Sequence, residues 1–152
     1  LFYQGIRPAV NVGLSVSRGG TGVPVTSVAT RSILSADQQL IRLDLDKVQA
    51  LLYADCPESD VALARQRLCA EPVTPFVTPV AITAERAGSV PRSYIECLND
   101  IAIPLWFQRQ MQAGMPCYPV HALPTGHSPF FAAPVELARL LDPLAAHAII
   151  AP

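Results

Sequence analysis

The sequence predicts an α/β fold: a helical region followed by the last strand–helix units of a parallel sheet. Three observations carry that expectation. Two strand-like runs, each followed by an amphipathic helix over a short connection, occupy the C-terminal half. Two short helices closed by a proline-rich return precede them, which suits a cap or lid better than a central sheet. The composition, 51% hydrophobic and 15% charged over 152 residues, is that of one globular domain or one half of a larger one.

Taken in order, Gly19-Gly20-Thr21-Gly22 breaks any regular element, and no element is assigned to residues 19–30. Leu40, Ile41 and Leu43 end a short extended piece. Asp44 or Asp46 is positioned to cap a helix burying Val48, Leu51 and Leu52. Pro57 and Glu58 open a second helix with Val61, Ala64 and Leu68 inward and Arg65 and Arg67 toward water. Pro72, Pro75 and Pro79 then impose an extended, irregular crossing. Arg92–Cys97 reads as a strand, Pro104 to Gly114 as a helix through Phe107 and Met111, and Tyr118–Leu123 as a second strand. A loop from Pro124 to Phe131 leads to a last helix with Leu137, Leu140, Leu141 and Leu144 inward.

Several function classes are excluded at this level. A formal charge of −1 argues against a nucleic-acid partner or a polybasic membrane anchor. No apolar run approaches the roughly 20 residues of a membrane-spanning helix, and Arg7, Pro8 and Asn11 interrupt any secretory-signal pattern. Cys56, Cys69, Cys97 and Cys117 form no C-x-x-C pair, so no metal site is expected. They read as reduced, mostly buried thiols of a cytoplasmic protein. No cofactor is expected.

Ligand chemistry in a parallel sheet gathers beyond the carboxyl ends of its strands. Asp100 follows the first strand and His127 the second. Facing loops on adjacent strands bring a carboxylate and an imidazole within reach, so that the acid fixes the ring tautomer and the ring acts as base. Spacing alone leaves the alternatives open: a loop Asp is commonly a turn former, and a loop His a satisfied polar residue. His121 lies mid-strand, where a structural role is expected, and His147 falls on the last helix.

The stretch Val90–Pro104, with Tyr94-Ile95-Glu96-Cys97-Leu98-Asn99-Asp100-Ile101-Ala102-Ile103-Pro104 at its centre, resembles the acid loop of α/β-hydrolases of the plant methylesterase and hydroxynitrile-lyase type. Thr125-Gly126-His127-Ser128-Pro129-Phe130 resembles that family's histidine loop, and Tyr53-Ala54-Asp55-Cys56-Pro57 its cap. The likeness runs in the family's order from about Arg31 to the C-terminus. It implies a partial α/β-hydrolase fold, with Asp100 as triad acid, His127 as general base and a small-molecule carboxylic ester as substrate. Asn99 stands where many members carry a charged residue. Tyr53 and Trp106 would line an acyl pocket or belong to the core.

The family's Gly-x-Ser-x-Gly nucleophile turn does not occur in the chain. Its nearest imitation, Gly13-Leu14-Ser15-Val16-Ser17, puts a serine where the turn needs glycine, so Ser15 is a poor nucleophile. Residues 1–18 instead resemble a segment of the ATP synthase alpha subunit, in which the position of Arg18 reaches nucleotide phosphates across an interface. No Gly-x-x-x-x-Gly-Lys-[Ser/Thr] loop accompanies it here. The expected organisation is therefore a segment 1–18, a junction 19–30, a cap-like region 31–89 and an acid–histidine half 90–152, joined as a chimera. The rival to an ester hydrolase is a catalytically silent binding module that forms homo-oligomers through an exposed sheet edge.

Overall fold

Period-two burial and a tight turn build the first described elements. The computed structural model of the chain describes residues 32–78, 83 and 85–150. Strands β1 (Ser32–Leu34) and β2 (Leu40–Leu43) form an antiparallel hairpin that pairs Ser32 with Leu43 and Leu34 with Ile41. Within β2, Ile41 is buried while Leu40 and Arg42 are exposed, as alternation across a pleated strand requires. The hairpin turn is held by Asp37, whose carboxylate accepts from the Ser35 hydroxyl and the Gln39 amide.

Helix α1 (Val48–Leu52) buries Val48, Leu51 and Leu52, and α2 (Glu58–Arg67) buries Val61. Acidic Glu58 and Asp60 in the first turn of α2, and basic Arg65 and Arg67 in the last, complement its dipole. These faces meet in one core of Val48, Leu51, Leu52, Tyr53, Val61 and Ala102, with Leu43, Cys56, Ala64, Leu68 and Phe131 packed against it. Ala102 and Phe131 come from far along the chain, so the helical region and the C-terminal loops share this core.

Beyond a short extended β3 (Glu71–Pro72) and the one-turn α3 (Thr74–Val77), a 3-10 turn at Ala87–Ser89 leads into β4 (Tyr94–Cys97). Helix α4 (Leu105–Gly114) then returns the chain to β5 (Val120–Leu123). β4 and β5 are parallel, with Tyr94 opposite Val120 and Cys97 opposite Leu123. α5 (Pro129–Ala132) and α6 (Pro134–Ile150) complete the order.

The structure corrects several local expectations. The helical region contains a three-stranded antiparallel sheet in the order β1-β2-β3. Neither Asp44 nor Asp46 caps α1; Asp44 accepts the Asp46 amide in the preceding turn, and Lys47 occupies the cap position. Arg65 is half-buried and donates to Gln49 rather than pointing to water. Pro75 sits in the first turn of α3, where a missing N–H costs nothing, instead of prolonging an extended crossing. In α6, Leu137, Leu140 and Leu144 are half-buried, but Leu141 is 48% exposed. All four cysteines are free, though only Cys97 is buried and Cys69 is exposed. Residues 1–31, including Ser15 and Arg18, and the side chain of His147 lie outside the described residues.

Candidate active site

The parallel ladder continues past both strand ends, and this continuation builds the site. Leu98 N–H donates to the Leu123 carbonyl at 3.0 Å and Asn99 N–H to the Thr125 carbonyl at 2.9 Å. The Asn99 side chain adds a bond to the Pro124 carbonyl at 2.9 Å. The loops after β4 and β5 are thus stitched together before they reach Asp100 and His127.

Asp100 is buried, and each of its carboxylate oxygens has a separate task. Oδ1 accepts the amides of Ala102 at 2.8 Å and Ile103 at 2.9 Å, an Asx-type turn that fixes the carboxyl plane. Oδ2 faces Nδ1 of His127 at 2.9 Å. A carboxylate only accepts, so in the neutral ring Nδ1 carries the proton and Nε2 presents its lone pair. The side chains are 6% and 21% exposed respectively, so the acid is shielded while the ring keeps an open side.

Gln108 of α4 locks the acid loop from behind. Its side-chain oxygen accepts from Cys97 N–H at 3.0 Å, and its amide nitrogen donates to the carbonyls of Cys97 at 2.8 Å and Ile103 at 2.9 Å. The side chain therefore helps satisfy backbone groups at the end of β4, where the Cys97 carbonyl also accepts the Asp100 N–H. Behind the loops, burial pushes the Tyr94 hydroxyl up to about 12 and also raises the Cys97 thiol. Burial likewise raises the Cys56 thiol, so neither cysteine is an activated nucleophile.

The histidine loop is held on its far side by the turn after α1. Gly126 N–H donates to Oδ2 of Asp55 at 2.6 Å, and the Cys56 thiol lies 3.8 Å from the Ser128 carbonyl. The Ser128 carbonyl also accepts from Phe131 and Ala132 as α5 begins.

The two residues singled out by sequence, Asp100 and His127, are therefore brought into direct contact. His121 is not part of this pair; it stands within β5 opposite Ile95. Tyr53 is buried in the core against Phe131, while Trp106 is 52% exposed beside Phe107. Sequence reasoning missed Gln108 and Asp55. A polar side chain on the apolar face of α4 was a signal for Gln108, whereas nothing local marks Asp55 as a partner of Gly126. Among the described residues, no group of three or more His, Cys, Asp or Glu is gathered to hold a metal.

Parallel strands ending in an acid loop and a histidine loop, beneath a helical segment, define a partial α/β-hydrolase fold. No family model matches the chain. Among curated proteins it is similar to the putative chloroplastic methylesterase 11 of Arabidopsis thaliana, 38% identical over 102 residues, covering 65% of this chain and 26% of that protein. It is also similar to a pyrethroid hydrolase of Sphingobium wenxiniae, 35% identical over 98 residues, covering 64% of this chain and 35% of that protein. The crystal structure of a pyrethroid hydrolase from Sphingobium faniae JZ-2 superposes with a TM-score of 0.70 at 29% identity, over 83% of this chain and 52% of that one. The chain thus spans about a quarter to a third of the length of these curated relatives and about half of the solved structure.

Proposed function

We propose that residues 90–152 supply the acid and base of a Ser-His-Asp hydrolase acting on small carboxylic esters, with residues 31–89 as part of its cap. The observation that carries this is the His127–Asp100 bond at 2.9 Å, with the other Asp100 oxygen fixed by two backbone amides. An acid held that firmly sets the imidazole tautomer and stabilises the cation formed when Nε2 takes a serine proton. The ring then returns that proton to the departing alcohol, and water repeats the cycle on the acyl-enzyme. The methylesterase and pyrethroid-hydrolase relatives favour an ester, and the chemistry needs no metal or cofactor. No serine of the sequence lies in a Gly-x-Ser-x-Gly turn, so the labelling experiment must also name the nucleophile.

Labelling the purified protein with a fluorophosphonate, read by peptide mass spectrometry, tests this reading. One labelled serine that disappears in His127→Ala is the expected result. Labelling that survives the substitution, or folded protein that takes no label at all, would refute it.

A second reading is a catalytically silent module that associates with itself. It is favoured by the exposure of Leu98, Ile101, Trp106 and Phe130, on and beside the two loops.

A further inference from the structure

We infer that Asp55, in the turn between α1 and α2, is a positioning residue for the His127 imidazole, and that Gly126 is the glycine that lets it reach. The inference rests on the reading of His127 as a base. Asp55 lies 71 positions from Gly126, yet its Oδ2 accepts the Gly126 N–H at 2.6 Å. Gly126 immediately precedes His127, and this bond fixes the Thr125–Gly126 peptide plane, one peptide before the His127 backbone. The next residue of the same turn, Cys56, directs its thiol to the carbonyl of Ser128. Both neighbours of His127 are therefore held by consecutive residues of one turn.

The glycine is a requirement of that grip. A Cβ built on Gly126 would stand 2.8 Å from Oδ1 of Asp55 and 3.4 Å from its Cγ. An alanine there requires the carboxylate to shift or turn, which disturbs its bond to the Gly126 amide. The turn itself is anchored, since Tyr53 shares the core with Ala102, and Cys56 and Phe131 pack against that core. On the sheet side, Asn99 holds the loop at Pro124 and Thr125, and Asp100 holds the ring itself. Without Asp55 the segment carrying the imidazole keeps only the weak Cys56 thiol contact to that turn, and the ring gains freedom to move against Asp100.

The test reads the ring directly and needs no substrate. In protein carrying 15N-labelled histidine, the His127 ring nitrogens report the tautomer at neutral pH, and amide exchange reports the Gly126 bond. In the wild type we expect one tautomer, with the proton on Nδ1. Asp55→Ala should speed Gly126 exchange roughly tenfold, as for loss of one partly exposed charge-assisted bond, and should give averaged signals from two tautomers. Asp55→Asn keeps an accepting oxygen and should restore a single tautomer, while Gly126→Ala should reproduce the disorder with Asp55 still present. If Asp55→Ala fails to fold, these last two variants decide the matter alone. A single tautomer in both Asp55→Ala and Gly126→Ala overturns the role of Asp55 even if Gly126 exchange is faster, because the bond would then be structural only. A wild-type ring already mixed overturns the acid–base pair itself, and the positioning role with it.

Discussion

Asp100 divides its carboxylate between backbone and imidazole, and that division makes the pair stiff. A second carboxylate, on the strand that leads to Asp100, has a different use. Glu96 of β4 is buried and accepts from the side chains of Arg109 and Gln112 on α4. The Arg109 guanidinium, itself largely exposed, holds the Glu96 carboxyl below the usual glutamate range. A carboxylate whose folded value is depressed contributes stability above its unfolded value and loses it as pH falls through the folded one. The melting-temperature gap between wild type and Glu96→Gln should therefore be full at neutral pH and close as pH falls below about 4.3. A gap constant from pH 7 to pH 3, on the same buffers, would show that the pair contributes no charge-dependent stability.

At the level of elements, Gln108 joins α4 to the end of β4 and the acid loop. Gln108→Ala removes the side-chain partner of the Cys97 N–H and of the part-buried Ile103 carbonyl, and one of two donors to the Cys97 carbonyl, a loss of about 2–4 kcal/mol, measurable by urea unfolding. Gln112→Ala, about one turn further along the same helix, removes one partly buried bond and should cost under about 1.5 kcal/mol. Equal losses for the two would remove Gln108 from its keystone position. The helices around these sites were legible because their apolar spacing is long enough to define a face: Val48, Leu51 and Leu52 of α1 are all buried as spaced. β1 and β3 were not, since strands of three and two residues carry no period to read. Leu141 misled for the converse reason: apolar spacing predicts a buried face only where another element covers it.

For the molecule as a whole, the open question is what covers the apolar surface around the site. Among the described residues, β4 and β5 pair only with each other, which leaves an outer edge on each. Exposed Leu98, Ile101, Trp106, Val120 and Phe130 add apolar area beside those edges. Surface of that kind recruits a partner. Light scattering on the purified chain should show a mass that rises with concentration, and Trp106→Glu should lower it. A monomer mass at every concentration would remove the self-association reading and leave the hydrolase reading standing.

The sequence by itself determined the strand–helix order of the C-terminal half and the two residues at its strand ends. Hydrophobic period and the acid and histidine loops are local signals, and a parallel pair of strands needs nothing more to set its loops side by side. Only the tertiary structure decided how those loops are held. The contact between Asp55 and Gly126 and the three bonds of Gln108 join groups that no spacing rule relates. Buried backbone groups must find partners wherever the packed chain brings them, and that placement is a property of the shared core rather than of any local stretch.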